Sequence, residues 1–304
     1  MKHVLTVLSL ATLALATTAA TAGTPSGYVL TRDKQAQLQV SPAASKKIEF
    51  QNGPVLGTDA NGVNVYIIWY GNWANNTATD IVPDFISHLS GSPWYGITST
   101  YTDTANKPVT NKVTLAKQIS DNYSHGASLK DADIADIVKT ALTNKTLPVD
   151  QDAVYFVLTS SDVKEGVSIN SFCKLYCGWH NTGSGVAGGK TVNIRYSFVG
   201  DPSRCLSSCA AQPTGPNDNP GADGMVSIIA HELSEAVTDP DIATGWRFYT
   251  TDGNENADEC AWTFGTEYTT SNGSLANMKL GTRDYLVQQN WVRGIPTEAC
   301  AVGH

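Results

Sequence analysis

The 304-residue chain reads as an α/β (α+β) protein: a single domain on a mixed, twisted sheet, with a motif-bearing helix and disulfide-stapled loops. Three observations predict that class. Two runs, VNVYIIWY at 63–70 and DAVYFVLT at 152–159, are nearly continuous in apolar, β-branched and aromatic residues, as strands covered on both faces are. Helical periodicities separate and follow them. Six cysteines, an even number, suit a chain that folds where disulfides persist.

The start of the chain sets the compartment. Lys2 and His3 precede the apolar stretch VLTVLSLATLALA and then Ala20-Thr21-Ala22, the pattern of a secretory signal peptide over residues 1–22. That stretch is too short, with those flanks, to cross a bilayer. A soluble, secreted, extracellular protein is expected. Residues 23–53 are polar and weakly patterned and read as an N-terminal arm. The ordered domain is expected over 54–304. The full chain has 20 Lys+Arg against 28 Asp+Glu, a net charge of −8; loss of Lys2 with the leader leaves 19 against 28, or −9. An acidic balance argues against nucleic acid or anionic membranes as partners and suits divalent cations.

Each element follows in order. The run at 63–70 is a buried strand. Ile81, Val82, Phe85, Ile86 and Leu89 form one stripe, so a helix follows it. Residues 128–142 form a second helix, with Ser128 and Asp131 at capping-box spacing and Ile134, Ile137, Val138 and Ala141 as its apolar face. The run at 152–159 is another buried strand, and TVNIRYSFV at 191–199 alternates like an edge or half-exposed one. A glycine-rich loop is expected over 181–190, and a loop rich in Pro, Gly and Asn over 210–222. No internal repeat or heptad pattern appears.

Cys173, Cys177, Cys205, Cys209, Cys260 and Cys300 predict three disulfides, whose connectivity spacing does not fix. The two C-x-x-x-C pairs could also bind metal as thiolates, but an oxidising compartment disfavours that.

The stretch DGMVSIIAHELSEAVTDPD at 223–241 carries the chemistry. On a helix, His231 and Glu235 share a face four residues apart, and both donor types suit zinc. Glu232 lies beside them, placed to take a proton from water as a general base. Val226, Ala230, Leu233 and Val237 form the face expected to pack on the sheet, and Asp239 stands one further step along the acidic face. Pro240 stops the helix. The better-known form of the motif has His at position 235; a carboxylate there adds negative charge and weakens the metal as a Lewis acid. The plain alternative is the solvated face of an amphipathic helix. Downstream, TDGNENADECAW at 251–262 packs Asp252, Glu255, Asp258 and Glu259 ahead of Cys260. Glu255 or Asp258 is the expected third metal ligand; an oxygen-rich calcium site is the competing use of the same turn.

His180 reads as a loop histidine in preference to a ligand or general acid, and His88 and His125 receive no role. No G-x-S-x-G elbow, P-loop or dinucleotide fingerprint is present. Asn75, Asn122, Asn144 and Asn272 lie in N-x-S/T sequons and would accept glycans in a eukaryotic secretory pathway. Trp69, Tyr70, Trp73, Trp94 and Tyr95 could stack on sugar rings of a wall polysaccharide, but such a cluster more often closes a core.

The order of elements resembles the N-terminal half of zincin-like metallopeptidases, in which an edge strand borders the cleft. The Glu235-to-Glu255 separation is similar to that of the third ligand in gluzincin-type enzymes. More specifically, the chain resembles the EXORDIUM (phosphate-induced protein) family of secreted plant proteins. The resemblance runs through NVYIIWYGNW at 64–73, the Phe172-Cys173 to His180 segment, Cys205-x-x-x-Cys209, DGMVSIIAHELSE at 223–235, the Glu255, Asp258 and Cys260 cluster, and the tail through Tyr285-Leu286-Val287-Gln288 to Ala299-Cys300-Ala301. It implies an extracellular or cell-wall location, the apoplast in a plant, and a link to cell expansion; it supplies no enzymatic activity. The chain departs from plant members in a shortened loop before the His-Glu helix and in its arm. Its Thr-Asp-Pro ending and DGNExxDxCAW run look more like secreted bacterial or fungal relatives. The expectation is a secreted zinc-dependent hydrolase acting on a peptide, aligned along residues 192–199. The alternatives are a non-catalytic growth or signalling protein on a degenerate scaffold, and a polysaccharide binder. The sequence fixes no oligomeric state.

Overall fold

The computed structural model describes residues 26–38, 47–187, 189–241, 244–248, 254–294 and 298–304. The leader at 1–22 and Asp252 lie outside them. Eight strands frame the site: β1 (Ser26–Leu30), β2 (Ile48–Phe50), β3 (Val63–Tyr70), β4 (Val113–Asp121), β5 (Ala153–Thr159), β6 (Tyr176–Ala187), β7 (Lys190–Gly200) and β8 (Trp246–Phe248). Four helices accompany them: α1 (Arg32–Leu38), α2 (Ala78–Ser87), α3 (Asp131–Thr143) and α4 (Pro220–Thr238).

Six strands form one mixed sheet in the order β1-β6-β7-β5-β3-β4. β7, β5, β3 and β4 run parallel, while β6 is antiparallel to both β7 and β1. Every residue of β5 is buried, as its uninterrupted apolar run requires of a central parallel strand. β4 was not legible as a strand: it is an edge, and its Thr, Lys, Gln and Ser side chains face water. β2 and β8 pair separately as a short ribbon.

Three expectations are corrected. Residues 191–199 are not an edge: β7 lies between β6 and β5 and is buried from Ile194 onward. Most of the tract expected as a glycine-rich loop, residues 181–187, is instead strand, since β6 runs through it to Ala187 and pairs residue by residue with β7; a continuous antiparallel ladder outweighs the weak strand preference of glycine. The second helix begins at Asp131, and its box joins Lys130 to Asp133, whose carboxylate accepts the Lys130 backbone N–H at 2.7 Å. Ser128 belongs to a short strand before it.

The stretch read as a polar arm contributes β1, α1 and β2. The Trp/Tyr cluster closes the core: Trp69, Tyr70, Trp73, Trp94 and Tyr95 are all buried, so none of these five rings is open for a sugar to stack on. The four sequon asparagines are exposed; the Asn272 amide already donates to Asp218 Oδ1 at 2.7 Å.

The cysteines pair as Cys173–Cys205, Cys177–Cys209 and Cys260–Cys300. The first two tie the start of β6 to the segment that leads into α4. The third fixes the acidic turn to the C-terminal strand Ala299–Ala301.

Candidate metal centre

The centre lies where α4 meets β6. α4 starts at Asn219, whose side chain accepts the Ala222 N–H at 3.1 Å, with Pro220 in the first turn. The helix is buried all round, so the plain alternative of a solvated amphipathic face does not hold. Val226, Ala230, Leu233 and Val237 do enter the core. Its polar side is covered by the C-terminal segment: Asn256 and Asn290 donate to Ser234, and the Gln288 N–H donates to Ser227.

β6 supplies the unexpected partner. Gly178 faces α4, where a β-carbon would stand 2.7 Å from Ile228 Cγ2, so its bare backbone lets the helix approach. Gly185, seven residues along and on the opposite face, meets Leu142 of α3. His180 is two residues from Gly178, so strand alternation aims it at α4 as well. The disulfide at Cys177 anchors this end of the strand.

His180 Nδ1 lies 3.2 Å from Glu232 Oε2 and 3.7 Å from Glu235 Oε2. Its Nε2 lies 3.6 Å from Glu255 Oε2. His231 Nε2 stands 2.9 Å from Glu235 Oε1 and 3.5 Å from Asp258 Oδ1. The Asp258 backbone N–H donates to Glu235 Oε1 at 3.1 Å, and the Glu255 N–H donates to Asp258 Oδ2 at 3.2 Å. Arg247, on β8, reaches Glu255 Oε1 at 2.5 Å and Asp239 Oδ2 at 3.2 Å. Five carboxyl groups and two imidazoles therefore cluster here, with the Arg247 guanidinium against two of the carboxyls.

All of these groups are buried except Asp258 and Arg247, which are partly so. Burial, reinforced by carboxylate repulsion, pushes the Glu232, Glu235 and Asp239 carboxyls well above their usual range. It also depresses the His180 imidazole. At His231 burial works the same way, but Asp258 and Glu232 outweigh it and the net direction is upward. Several atoms have no hydrogen-bond partner: His180 Nε2, both ring nitrogens of His231, Glu232 Oε1, Glu235 Oε2 and Glu255 Oε2. The His231–Glu235 contact is thus close but off the line of a hydrogen bond.

Three groupings bring metal-ligating atoms within 4.8 Å of one another: His231, Glu235 and Asp258; His180, Glu232 and Glu235; and His180, Asp239 and Glu255. Of the two candidate third ligands, Asp258 stands with His231 and Glu235, whereas Glu255 stands with His180 and carries Arg247. Glu232 points toward His180. His180, set aside as a loop histidine, Asp239, named without a role, and Arg247, not singled out, are the residues of this cluster that the sequence left unassigned. For His180 the signal was present in Cys177-Gly178-Trp179-His180, a histidine held by a disulfide and sharing a face with a glycine. His88 and His125 lie away from the centre, against Asp84 and against Asp133 and Asp136 respectively.

Strand β1 covers the cluster. Gly27, at φ +65°, lies so close that a β-carbon would stand 2.4 Å from Glu255 Oε2 and 2.5 Å from His180 Cε1.

Fold and centre together define a mixed α/β protein, stapled by three disulfides, with a histidine–carboxylate cluster enclosed between sheet, helix and C-terminal segment. The profile of the family described as the phosphate-induced protein 1 conserved region matches residues 48–290, and the chain belongs to that family. It is 31% identical over 236 residues to EXORDIUM-like 5 of Arabidopsis thaliana, covering 66% of this chain and 62% of that protein. It is 30% identical over 283 residues to EXORDIUM-like 3 of the same plant, covering 81% and 80%. PHOSPHATE-INDUCED 1 of Nicotiana tabacum is 32% identical over 226 residues, covering 66% and 67%. The first of these matches spans about three fifths of its relative's length. No solved structure matches.

Proposed function

We propose that this chain is a secreted, zinc-dependent hydrolase of peptides, with the metal held by His231, Glu235 and Asp258. The observation that carries the reading is that both buried ring nitrogens of His231 lack a hydrogen-bond partner while its Nε2 stands in a grouping with Glu235 and Asp258, and Glu235 Oε2 is unpartnered as well. Leaving such groups unpaired is costly, and a cation that ligates them removes the cost. Imidazole with carboxylate is a zinc donor set. Bound there, zinc would supply a Lewis acid that polarises a carbonyl and lowers the pKa of water.

The chain's own residues have distinct parts in this reading. Burial favours the protonated form of Glu232, and a cation bound beside it would restore the carboxylate; Oε1, which has no hydrogen bond, then receives the proton of the attacking water. His180 holds the other oxygen, Oε2, and fixes that carboxyl's orientation. Arg247 neutralises Glu255 and Asp239, so the ligating carboxylates are not further repelled. β1 lies over His180 and Glu255 and must move for an extended peptide to reach the centre; the edge it would vacate is β6. The leader pattern at 1–22 and the disulfides support secretion.

The enclosure favours a second reading, in which the protein is non-catalytic and the ion is structural, because structural zinc sites are closed. One experiment separates the two: incubation of the purified protein with a peptide library, with and without chelator, beside Glu232→Gln. Cleavage abolished by chelator and by Glu232→Gln supports the hydrolase. Absence of cleavage by metal-loaded protein, including protein from which β1 has been clipped, leaves the structural role.

A further inference from the structure

We infer that the centre is built for two divalent ions bridged by Glu235, the second held by His180 and Glu232. This rests on the reading that His231, Glu235 and Asp258 hold the first; filling the second position replaces the base and positioning roles that Glu232 and His180 have with one ion bound.

Glu235 divides its oxygens between two imidazoles. Oε1 faces His231 Nε2 at 2.9 Å and Oε2 faces His180 Nδ1 at 3.7 Å. The two histidines fall in separate groupings that share this one carboxylate. A carboxylate with one oxygen toward each of two donor sets is the geometry of a bridge.

Spacing supports the same conclusion. Two ligands at about 2.0–2.1 Å from a tetrahedral zinc stand roughly 3.3–3.4 Å apart. Around His180 Nδ1 the separations are 3.2 Å to Glu232, a hydrogen bond that an ion would displace, and 3.7 Å to Glu235. Around His231 Nε2 they are 2.9 Å to Glu235 and 3.5 Å to Asp258. Both sets have the dimensions of a ligand cage. Glu235 Oε2, Glu232 Oε1 and His231 Nε2, all fully enclosed, have no hydrogen-bond partner, so polar atoms of both sets await one.

The third grouping is already served. Arg247 lies against both Glu255 and Asp239, and its guanidinium supplies the positive charge there. That leaves two positions for ions.

The mixed nitrogen and oxygen donors favour zinc over calcium or magnesium.

The test is a zinc titration of metal-stripped wild-type protein, followed calorimetrically, with metal content by plasma mass spectrometry. Saturation at about two zinc ions per chain is expected, falling to about one in His180→Ala and in His231→Ala, with circular dichroism reporting that each variant is folded. The wild-type titration stands even if a variant fails to fold. Saturation at one ion, or at two that His180→Ala leaves unchanged, overturns the bridged centre while keeping the single-ion reading. No binding overturns both.

Discussion

Glu235 sits one helical turn beyond His231 and brings Oε1 to 2.9 Å from its Nε2, while accepting the backbone N–H of Asp258. The helix, the imidazole and the acidic turn thus meet at one oxygen. A metal ion bound there would stabilise the fold by mass action, by about 2.7 kcal/mol at a free concentration a hundredfold above Kd. For a domain of this size that is roughly 5–10 °C in melting temperature. Stripping with chelator should lower the melting temperature by that amount, re-addition of zinc should restore it, and Glu235→Ala should be insensitive to both. A melting temperature indifferent to chelator in the wild type would contradict a resident ion.

Gly27 adopts φ +65° with no room for a β-carbon beside Glu255 and His180. Gly27→Val costs about 1–2 kcal/mol for the left-handed backbone alone, before any collision. The expected result is release of β1, seen as faster hydrogen exchange at the amides of residues 28–30 and easier proteolysis between β1 and β2. Unchanged exchange would show that β1 is not seated on the cluster.

Arg247 is the guanidinium between Glu255 and Asp239. Arg247→Met leaves two enclosed carboxyls without their cation, a loss of roughly 3 kcal/mol or more, read from the urea midpoint. Arg247→Lys should recover only part, because an ammonium lacks the planar fork that meets two acceptors. Equal stability of all three proteins would remove Arg247 from the electrostatic account.

Asp223, in the first turn of α4, titrates away from the centre. Burial pushes its carboxyl up to about 6, against the lowering influence of the Asn217 donors. The folded chain therefore holds a proton that the unfolded chain has released between about pH 4 and 6. Stability contributed by Asp223 is present below that window and lost as pH rises through it, by up to about 3 kcal/mol. Asp223→Asn should flatten that part of the stability–pH curve. A curve of unchanged slope would place the titration elsewhere.

The buried strands were legible because their signal is local. The run at 63–70 coincides with β3, and that at 152–159 contains all of β5. α4 was legible too, from its apolar spacing and the proline that ends it. β1 and β4 were not, because an edge strand needs apolar residues on at most one face and its ladder depends on a distant partner. The glycine tract misled for the same reason: β7 decides that it is a strand.

The sequence alone determined which helix carries the motif, that His231 and Glu235 share a face, and that Glu255 and Asp258 are the acidic residues available to them. Periodicity and i,i+4 geometry suffice for that. Only the tertiary structure decided that Asp258 stands with His231, that Arg247 claims Glu255, and that His180 belongs to the centre. It also decided that Gly27 covers it. Those relations join residues from β1, β6, α4, β8 and the acidic turn, whose meeting is set by sheet pairing and disulfides, and no local pattern encodes them.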